Sequence, residues 1–238
     1  MNFSYVQIDI SFGIFTPSSI STERIPLKRS PSIINWTPEF YDSLSSRYDL
    51  LARFLFPIGE KGRSRVIENL KPGSILDVAC GTGTLLQMAH DCNMQCFGID
   101  NSAGMLAQAQ IKVPAAMFLR ASFYEIPYPD AAFDNVVETN AVSGVDIDVE
   151  RVLKEMVRVC KKDGQILIGD YAKAGKESWS LRALERIGQF IGDYAYNYDE
   201  LFDKWGFTVE SEALGWGGMY QFIRVLKTTQ YSRKTIII

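Results

Sequence analysis

From Ser74 to Tyr171 the sequence alternates short apolar runs with longer stretches in which apolar residues recur at every third or fourth position. Short apolar runs bounded by turn residues are typical of buried strands, and the longer period is typical of amphipathic helices. Regular alternation of the two indicates a doubly wound α/β fold with a parallel sheet. The predicted strands read SILDVA, CFGID, AMFLR, FDNVVE and QILIGDY.

The flanking segments extend this pattern at both ends. Two amphipathic runs, Glu39–Phe56 and a second ending at Leu70, predict two helices before the first strand. After the fifth strand, a helical stretch is expected from Trp179 to about Trp205. The last two apolar runs, FTVESEAL and MYQFIRVL, flank a glycine-rich turn and predict a hairpin, so the sheet should contain one reversed strand near the C-terminus.

The first 40 residues differ from the rest of the chain. Alternating apolar residues between Val6 and Ile14 predict a strand, and Ser/Thr/Pro-rich sequence follows up to Pro38. We expect residues 1–40 to form an accessory N-terminal arm, a candidate contact in a homo-oligomer, and residues 41–238 to form the main domain.

Composition restricts the function classes. The formal net charge of −3 lacks the basic footprint of most nucleic-acid binders, and no apolar run reaches 18 residues, so neither a nucleic-acid partner nor a transmembrane segment is expected. The first ten residues lack the features of a secretion signal, and four cysteines are too few for a disulfide scaffold, which predicts a cytoplasmic protein. With one histidine in the chain, no metal site is predicted.

The stretch DVACGTGT, Asp77 to Thr84, places a glycine-rich turn between the first strand and a helix. Such a turn lets a ligand approach backbone N–H groups closely. A P-loop lysine is missing after Gly83, and Leu86 replaces the third glycine of the dinucleotide fingerprint. Asp77 would repel a pyrophosphate but tolerates a cation, and Asp100 after the second strand suits a ribose diol. An adenosine with an amino-acid tail and a sulfonium, S-adenosylmethionine, meets both requirements.

Four motifs in order resemble those of the class I S-adenosylmethionine-dependent methyltransferases: DVACGTG, GIDNSAGML, IPYPDAAFDNVV and LKEMVRVCKKDGQILIGDY. The resemblance covers roughly Tyr41 to Lys227 and implies a seven-stranded sheet with six parallel strands. Tyr41-Asp42 and Arg47-Tyr48-Asp49 resemble the N-terminal helix that covers the cofactor in the quinone and lipid methyltransferase-like branch.

The resemblance implies a set of cofactor-binding residues. The methionine portion is assigned to Asp77, Ala79, Gly81, Thr82 and Gly83, the ribose to Asp100, the adenine to Asn101, Ser122 and Phe123, and the region of the reacting methyl to Asn140. Ser122 stands where relatives usually carry an acidic residue, which puts base selectivity in doubt. Residues 138–144 lack the histidine that many relatives have there.

Three residues are therefore candidates for assisting deprotonation of an acceptor: Tyr48, Asp170 and Tyr171. Asp170 can equally cap the loop before Trp179, and Tyr48 can equally pack within its helix. The main functional hypothesis is methyl transfer from S-adenosylmethionine to a small-molecule or lipid-like acceptor such as a quinone, a lipid or a secondary metabolite. The alternatives are a cyclase, decarboxylase or pericyclase that keeps the methyl group on the cofactor, a protein or RNA methyltransferase, and a regulator that only binds the cofactor.

Overall fold

The computed structural model describes residues 37–55, 57–144, 146–173, 183, 185, 186 and 194–226. The strands are β1 Ser74–Val78, β2 Gln95–Asp100, β3 Met117–Arg120, β4 Phe133–Thr139, β5 Cys160–Tyr171, β6 Thr208–Gly215 and β7 Tyr220–Leu226. The helices are α1 Pro38–Leu44, α2 Tyr48–Leu55, α3 Ile58–Glu68, α4 Thr84–Asp91, α5 Ala103–Lys112, α6 Val149–Val159 and α7 Tyr198–Asp203, with short 3₁₀ turns at Ser45–Arg47 and Trp216–Gly218.

The seven strands form one sheet in the order β3-β2-β1-β4-β5-β7-β6. Neighbours from β3 to β5 pair in parallel, whereas β7 is antiparallel to both β5 and β6. Six strands therefore share one direction and one is reversed, which confirms the predicted α/β fold. Strand order reverses at β1, between β2 and β4, and ligands of open α/β sheets bind at the carboxyl ends of the strands at such a point.

Alternate side chains of the central strands enter two cores, one on each face of the sheet. On β4, Val136 packs in the core that α6 covers, while Val137 packs in the core formed with α3 and α4. Helix α6 is the clearest case of a periodic sequence, since one stripe of it is fully buried: Val149, Val152, Leu153, Met156 and Val159. Each such aliphatic side chain contributes about 1.5–3 kcal/mol on burial.

The helical predictions needed two corrections. The first predicted helix, Glu39–Phe56, is divided by the 3₁₀ turn at Ser45–Arg47, where the hydroxyl of Ser45 donates to the carbonyl of Asp42 at 3.0 Å and competes with regular helix bonding. In the helix predicted from Trp179 to about Trp205, residues 183, 185 and 186 are helical and the rest of 179–193 lie outside the described residues; the later part is helical over Tyr198–Asp203. Residues 194–197 precede it outside any helix, because this segment bonds to the loop after β4 and to the end of β5.

Three sequence expectations concern the N-terminal arm, membrane-spanning helices and disulfides. Residues 1–36, which hold the predicted Val6–Ile14 strand and most of the arm, lie outside the described residues. Among the helices in the described ranges, none is both long enough and apolar enough to cross a membrane. All four cysteines are described, and each is a free thiol.

Candidate active site

The loop between β1 and α4, residues 79–83, is named here the glycine loop. Its backbone takes left-handed conformations at Ala79, Gly81 and Gly83, with φ of 61°, 52° and 76°. A Cβ at Gly83 would lie 3.0 Å from the Cβ of Ala109, so this glycine allows α4 to approach α5. A Cβ at Gly81 would meet nothing within 4 Å. The loop is thus tight on the helix side and open at Gly81, as close ligand approach requires.

Asp100, the last residue of β2, connects two turns at the carboxyl edge of the sheet. Its carboxylate accepts hydrogen bonds from the N–H groups of Gly81 and Ser102, both at 2.8 Å. Burial raises the pKa of Asp100 despite these bonds. Ser102 caps α5 by accepting from Met105 N at 3.0 Å. Because each carboxylate oxygen can accept more than one hydrogen bond, Asp100 can still accept from a ribose diol.

Asp77 lies at the point where the strand order reverses. It pairs in register with Gly98 on β2 and with Val137 on β4, and only 2% of its surface is exposed. Burial, together with repulsion from Asp100, raises the pKa of Asp77 well above its usual range. Its Oδ1 is shielded and has no hydrogen-bond partner among the described residues. An ammonium or sulfonium group would stabilise the ionised form of this carboxyl.

The residues assigned to adenine follow β2 and β3, which are adjacent strands. The carbonyl of Asn101 accepts from Arg120 Nε at 3.0 Å, and Ser122 Oγ accepts from Tyr124 N at 3.2 Å. The ring of Phe123 packs edge-on against Tyr124 with 4.7 Å between centroids. The structure therefore brings these three residues together beside Asp100, in two loops fixed by their own hydrogen bonds.

Asn140 begins the loop after β4, residues 140–144, named here the fourth-strand loop. It adopts a left-handed φ of 59°, which asparagine tolerates, and its N–H donates to Gly169 O at 3.1 Å. Its side chain hydrogen-bonds Tyr220, and a Cβ at Gly59 would lie 3.0 Å from its Nδ2. The asparagine is thus held between β5, β7 and the start of α3.

Glu138, on β4, holds the fourth-strand loop through hydrogen bonds to its backbone. One oxygen, Oε1, accepts from the N–H groups of Ala141 at 2.6 Å and Val142 at 3.2 Å, while Oε2 is shielded without a partner among the described residues. Burial, and then repulsion from Asp170, raises the pKa of Glu138 well above its usual range. The protonated, neutral form is therefore favoured in the folded protein.

Asp170 holds the far side of the loop. Its two oxygens accept from Tyr171 N at 2.7 Å and Ser143 N at 3.0 Å, and the hydroxyl of Tyr198 donates to it at 3.4 Å. It is fully buried, which raises its pKa to about 6. Tyr171 is 9% exposed, and its ring lies 5.4 Å from that of Trp216. The contacts of Asp170 match the loop-capping alternative, although the loop it caps is the one after β4.

Helix α2 reaches over the glycine loop through Asp49. The hydroxyl of Thr82 donates to Asp49 Oδ1 at 2.5 Å, and Lys112 at the end of α5 pairs with Oδ2 at 2.6 Å. Lys112 Nζ also donates to the hydroxyls of Thr82 and Thr84 at 3.1 and 2.8 Å. Hydrogen bonds from Lys112 and Thr82 lower the pKa of Asp49 against the effect of burial. This cluster ties the N-terminal helix to the loop.

A second carboxylate, Asp42, ties α1 to the start of α5. It accepts from Ser102 Oγ at 2.5 Å and from Gly104 N at 2.7 Å, and these bonds lower its pKa. Between the two carboxylates, Tyr48 is half-buried with its ring 6.1 Å from that of Tyr41. The helix predicted to cover the cofactor thus lies over both turns.

The structure adds four groups that had no predicted role: Asp42, Asp49, Lys112 and Glu138. A carboxylate inside the apolar run FDNVVET was the available signal for Glu138, because a buried charge needs partners. The partners of Asp42 and Asp49 lie some 30 to 60 residues away in the chain, and no local sequence pattern indicated them.

Comparison with known proteins decides the family. Residues 76–168 match the family described as "Methyltransferase domain". The chain is 32% identical over 181 residues to the ubiquinone/menaquinone biosynthesis C-methyltransferase of Geotalea uraniireducens, covering 67% of this chain and 77% of that protein. The chain belongs to the S-adenosylmethionine-dependent methyltransferases.

Further comparisons extend over more of this methyltransferase. The phosphatidylethanolamine N-methyltransferase of Cereibacter sphaeroides is 29% identical over 200 residues, covering 77% of this chain and 97% of that protein. Among solved structures, a putative S-adenosylmethionine-dependent methyltransferase of Methanococcus maripaludis has a TM-score of 0.60 at 17% identity, covering 86% of this chain and 99% of that one. This last likeness confirms the fold.

The residues at the carboxyl edge fit the cofactor of this family, S-adenosylmethionine. The open side of Gly81 leaves room for the ligand, and the shielded Oδ1 of Asp77 suits its cationic groups. Asp100 retains acceptor capacity for the ribose hydroxyls. The binding roles assigned from sequence are geometrically compatible with this edge of the sheet.

Proposed function

We propose that this methyltransferase acts on a small-molecule or lipid-like acceptor such as a quinone or a phospholipid. The supporting observation is the match to the Cereibacter protein over 97% of that protein's length, so that the likeness is not confined to the cofactor domain. The exposed apolar side chains Leu50 and Phe54 on α2, beside the glycine loop, also suit an apolar acceptor. The relatives reported above are named as methyltransferases, so they give no support to the cyclase alternative.

The protein's contribution is mainly alignment. When bound, S-adenosylmethionine supplies a methyl group attached to a sulfonium. The group that leaves is a neutral thioether, so no acid is needed to protonate it. We propose that Asp77 and the glycine loop hold the methionine portion, Asp100 the ribose, and the loops at Asn101 and Ser122 the adenine. Asn140, pinned by its left-handed backbone, would then face the reacting methyl. Holding donor and acceptor in line converts a bimolecular reaction into an effectively unimolecular one.

An acceptor that must lose a proton needs a base, and the single histidine, His90, lies in the last turn of α4 with half of its side chain exposed. The sequence offers three candidates, Tyr48, Tyr171 and Asp170, and we propose the two tyrosines for this role. The oxygens of Asp170 already accept two backbone N–H groups, so the contacts favour the two tyrosines as groups that touch the acceptor. Asp170 would act by positioning the fourth-strand loop.

We also propose a cytoplasmic location, supported by the four free thiols, and a homo-oligomer assembled through residues 1–40. The alternating apolar residues of Val6–Ile14 support the second proposal, because an unpaired strand edge is a template for pairing with another chain. Deletion of residues 1–36 should reduce the molar mass measured by light scattering to that of a monomer.

The direct test is incubation of the purified protein with methyl-labelled S-adenosylmethionine and a host extract divided into lipid, small-molecule, RNA and protein fractions. We expect label in the lipid or small-molecule fraction with an equimolar amount of S-adenosylhomocysteine. Label only in the RNA or protein fraction would contradict the proposed acceptor class. Cofactor binding with neither label nor S-adenosylhomocysteine in any fraction would contradict methyl transfer itself.

A further inference from the structure

The turn between β6 and β7 places a tryptophan in a backbone conformation that tryptophan rarely adopts. Trp216, Gly217 and Gly218 all have left-handed φ values, of 51°, 66° and 96°. Glycine adopts this conformation without steric cost, whereas a bulky side chain there is a clear outlier. Such outliers persist only where the surrounding structure enforces them, and they concentrate at ligand-binding sites. Turn formation alone does not explain why a tryptophan occupies this position.

The same turn lies at the carboxyl edge of the sheet. Strand β7 is antiparallel to β5, so its first residue, Tyr220, pairs in register with Tyr171, the last residue of β5. A Cβ at Gly215 would lie 2.5 Å from Cδ1 of Ile58, so the turn also packs closely against the first residue of α3. The turn is therefore held between the end of β5 and the start of α3, on the edge that carries the glycine loop and the fourth-strand loop.

A series of three aromatic rings leads from Asn140 to the surface. The side chain of Tyr220 hydrogen-bonds Asn140, and its ring is perpendicular to that of Tyr171 with 5.5 Å between centroids. The ring of Tyr171 in turn lies 5.4 Å from that of Trp216, at an angle of 34°. The exposed fraction rises along the series, from 0% at Tyr220 through 9% at Tyr171 to 40% at Trp216. Trp216 is thus the member of the series that a molecule arriving from solvent meets first.

The exposed part of an indole attracts two kinds of ligand group, a cation or a second flat ring. A protonated amine has no free electron pair with which to accept a methyl group. It would have to lose its charge, and with the charge its attraction to the indole, before the reaction. A neutral planar ring keeps its stacking contact while one of its atoms is methylated. Of the two groups, the planar ring therefore suits an acceptor better.

We propose that Trp216 binds the acceptor, and that the acceptor presents a planar unsaturated ring that stacks on the exposed part of the indole. This inference rests on the proposed methyl transfer to a small-molecule or lipid-like acceptor, and it specifies the reacting end of that acceptor. A ring in this position lies beside Tyr171, one of the two tyrosines proposed to remove the acceptor's proton. Trp216 is thus a specificity residue that favours flat rings over saturated rings and over phospholipid headgroups.

The test compares 2-naphthol with decahydro-2-naphthol, two neutral alcohols that share a carbon skeleton and of which only the first is flat. Calorimetric titrations in the presence of S-adenosylhomocysteine are made with the wild type, Trp216→Phe, Trp216→Asn and the control Met117→Thr. The control removes an exposed apolar side chain from the amino end of β3, at the opposite edge of the sheet. Asparagine tolerates a left-handed φ, so Trp216→Asn should fold.

We expect Trp216→Asn to bind 2-naphthol about 3- to 10-fold more weakly than the wild type, and its affinity for decahydro-2-naphthol to change less than about twofold. Trp216→Phe keeps a flat ring and should recover part of the loss, and the control should match the wild type. The affinity for S-adenosylhomocysteine should be the same in all four proteins, because Trp216 is assigned to the acceptor alone. Thermal unfolding of each variant confirms that a loss of binding is measured on folded protein.

The outcomes separate this inference from the proposed function on which it rests. Equal weakening of both alcohols in Trp216→Asn, or an unchanged affinity for 2-naphthol, would overturn the role of Trp216. Tighter binding of dihexanoylphosphatidylethanolamine than of 2-naphthol, unaffected by Trp216→Asn, would overturn the planar ring as the acceptor class. Either result leaves methyl transfer in place if label from S-adenosylmethionine still enters the lipid or small-molecule fraction of the extract. Absence of label from both fractions would overturn the proposed function itself.

Discussion

The carboxyl edge of the sheet carries two pairs of buried carboxylates with contrasting surroundings. Asp77 and Asp100, on β1 and β2, border the glycine loop, where a ligand can approach Gly81. Each pair has one shielded oxygen without a partner among the described residues, Oδ1 of Asp77 and Oε2 of Glu138. Glu138 and Asp170, on β4 and β5, are turned toward their own chain and accept four backbone N–H groups between them. Burial raises the pKa of all four groups.

The difference shows that burial and a raised pKa do not by themselves identify a group that touches a ligand. The first pair borders the open side of Gly81, whereas three of the four oxygens of the second pair accept backbone N–H groups. We propose that the first pair holds the cofactor. The second pair holds the fourth-strand loop through the N–H groups of Ala141, Val142 and Ser143. Substitutions in the two pairs separate cofactor binding from positioning of the fourth-strand loop.

The largest effect is expected for Asp100→Ala. The variant loses the acceptor for Gly81 N and the proposed acceptor for the ribose, so S-adenosylhomocysteine should bind at least about 100-fold more weakly, with the fold intact. Calorimetric titration measures the affinity, and Asp91→Ala, at an exposed aspartate on α4, is the control. An affinity equal to that of the wild type would contradict the placement of the cofactor.

Asp170→Ala should lower the stability of the protein and leave cofactor affinity nearly unchanged. Two buried backbone N–H groups lose their acceptor, which should lower the free energy of unfolding by about 2–3 kcal/mol. The affinity for S-adenosylhomocysteine should change less than about threefold, while kcat falls because the fourth-strand loop is released. Urea unfolding and titration together give both numbers, and strong loss of cofactor binding with normal stability would reverse the assigned roles.

The stability should also depend on pH through Asp170. Its pKa of about 6 in the folded protein exceeds the ordinary value of 3.8, so the folded state binds this proton more tightly than the unfolded state does. This stabilisation is complete below about pH 4 and is lost as the pH rises through about 6, by about 3 kcal/mol. Asp170→Asn should flatten this part of the profile in urea unfolding between pH 4 and 7, and a slope identical to that of the wild type would contradict it.

The smallest effect is expected at Asp49, whose side chain is half exposed. Asp49→Asn removes the ion pair with Lys112 but keeps a hydrogen-bond acceptor for Thr82, so stability should change by less than about 1 kcal/mol. The dissociation of S-adenosylhomocysteine, followed by stopped-flow fluorescence, should become about threefold faster because α2 is held less firmly. Raising the salt concentration should accelerate the wild type toward the variant, and equal salt dependence in both would exclude the ion pair as the cause.

The sequence was sufficient for the succession of strands along the chain and for the reversed strand near the C-terminus. The cofactor site at the carboxyl edge stays a prediction. The apolar stripe of α6 and the capping residue Ser102 depend on local spacing, which a sequence displays directly. Three of the groups that Glu138 and Asp170 accept are backbone N–H groups of residues 141–143, which follow the left-handed residue Asn140. The contacts of Asp42 and Asp49 join residues far apart in the chain, and no local pattern records them.

A crystal structure of the complex with S-adenosylhomocysteine tests the central claim most directly. The account predicts ribose hydroxyls within hydrogen-bond distance of Asp100, the amino-acid portion beside Gly81 and Asp77, and no ligand contact to Glu138 or to the oxygens of Asp170. A ligand bound elsewhere, or one whose polar groups bond to Glu138 and Asp170 in place of Asp77 and Asp100, would contradict the division between the two carboxylate pairs.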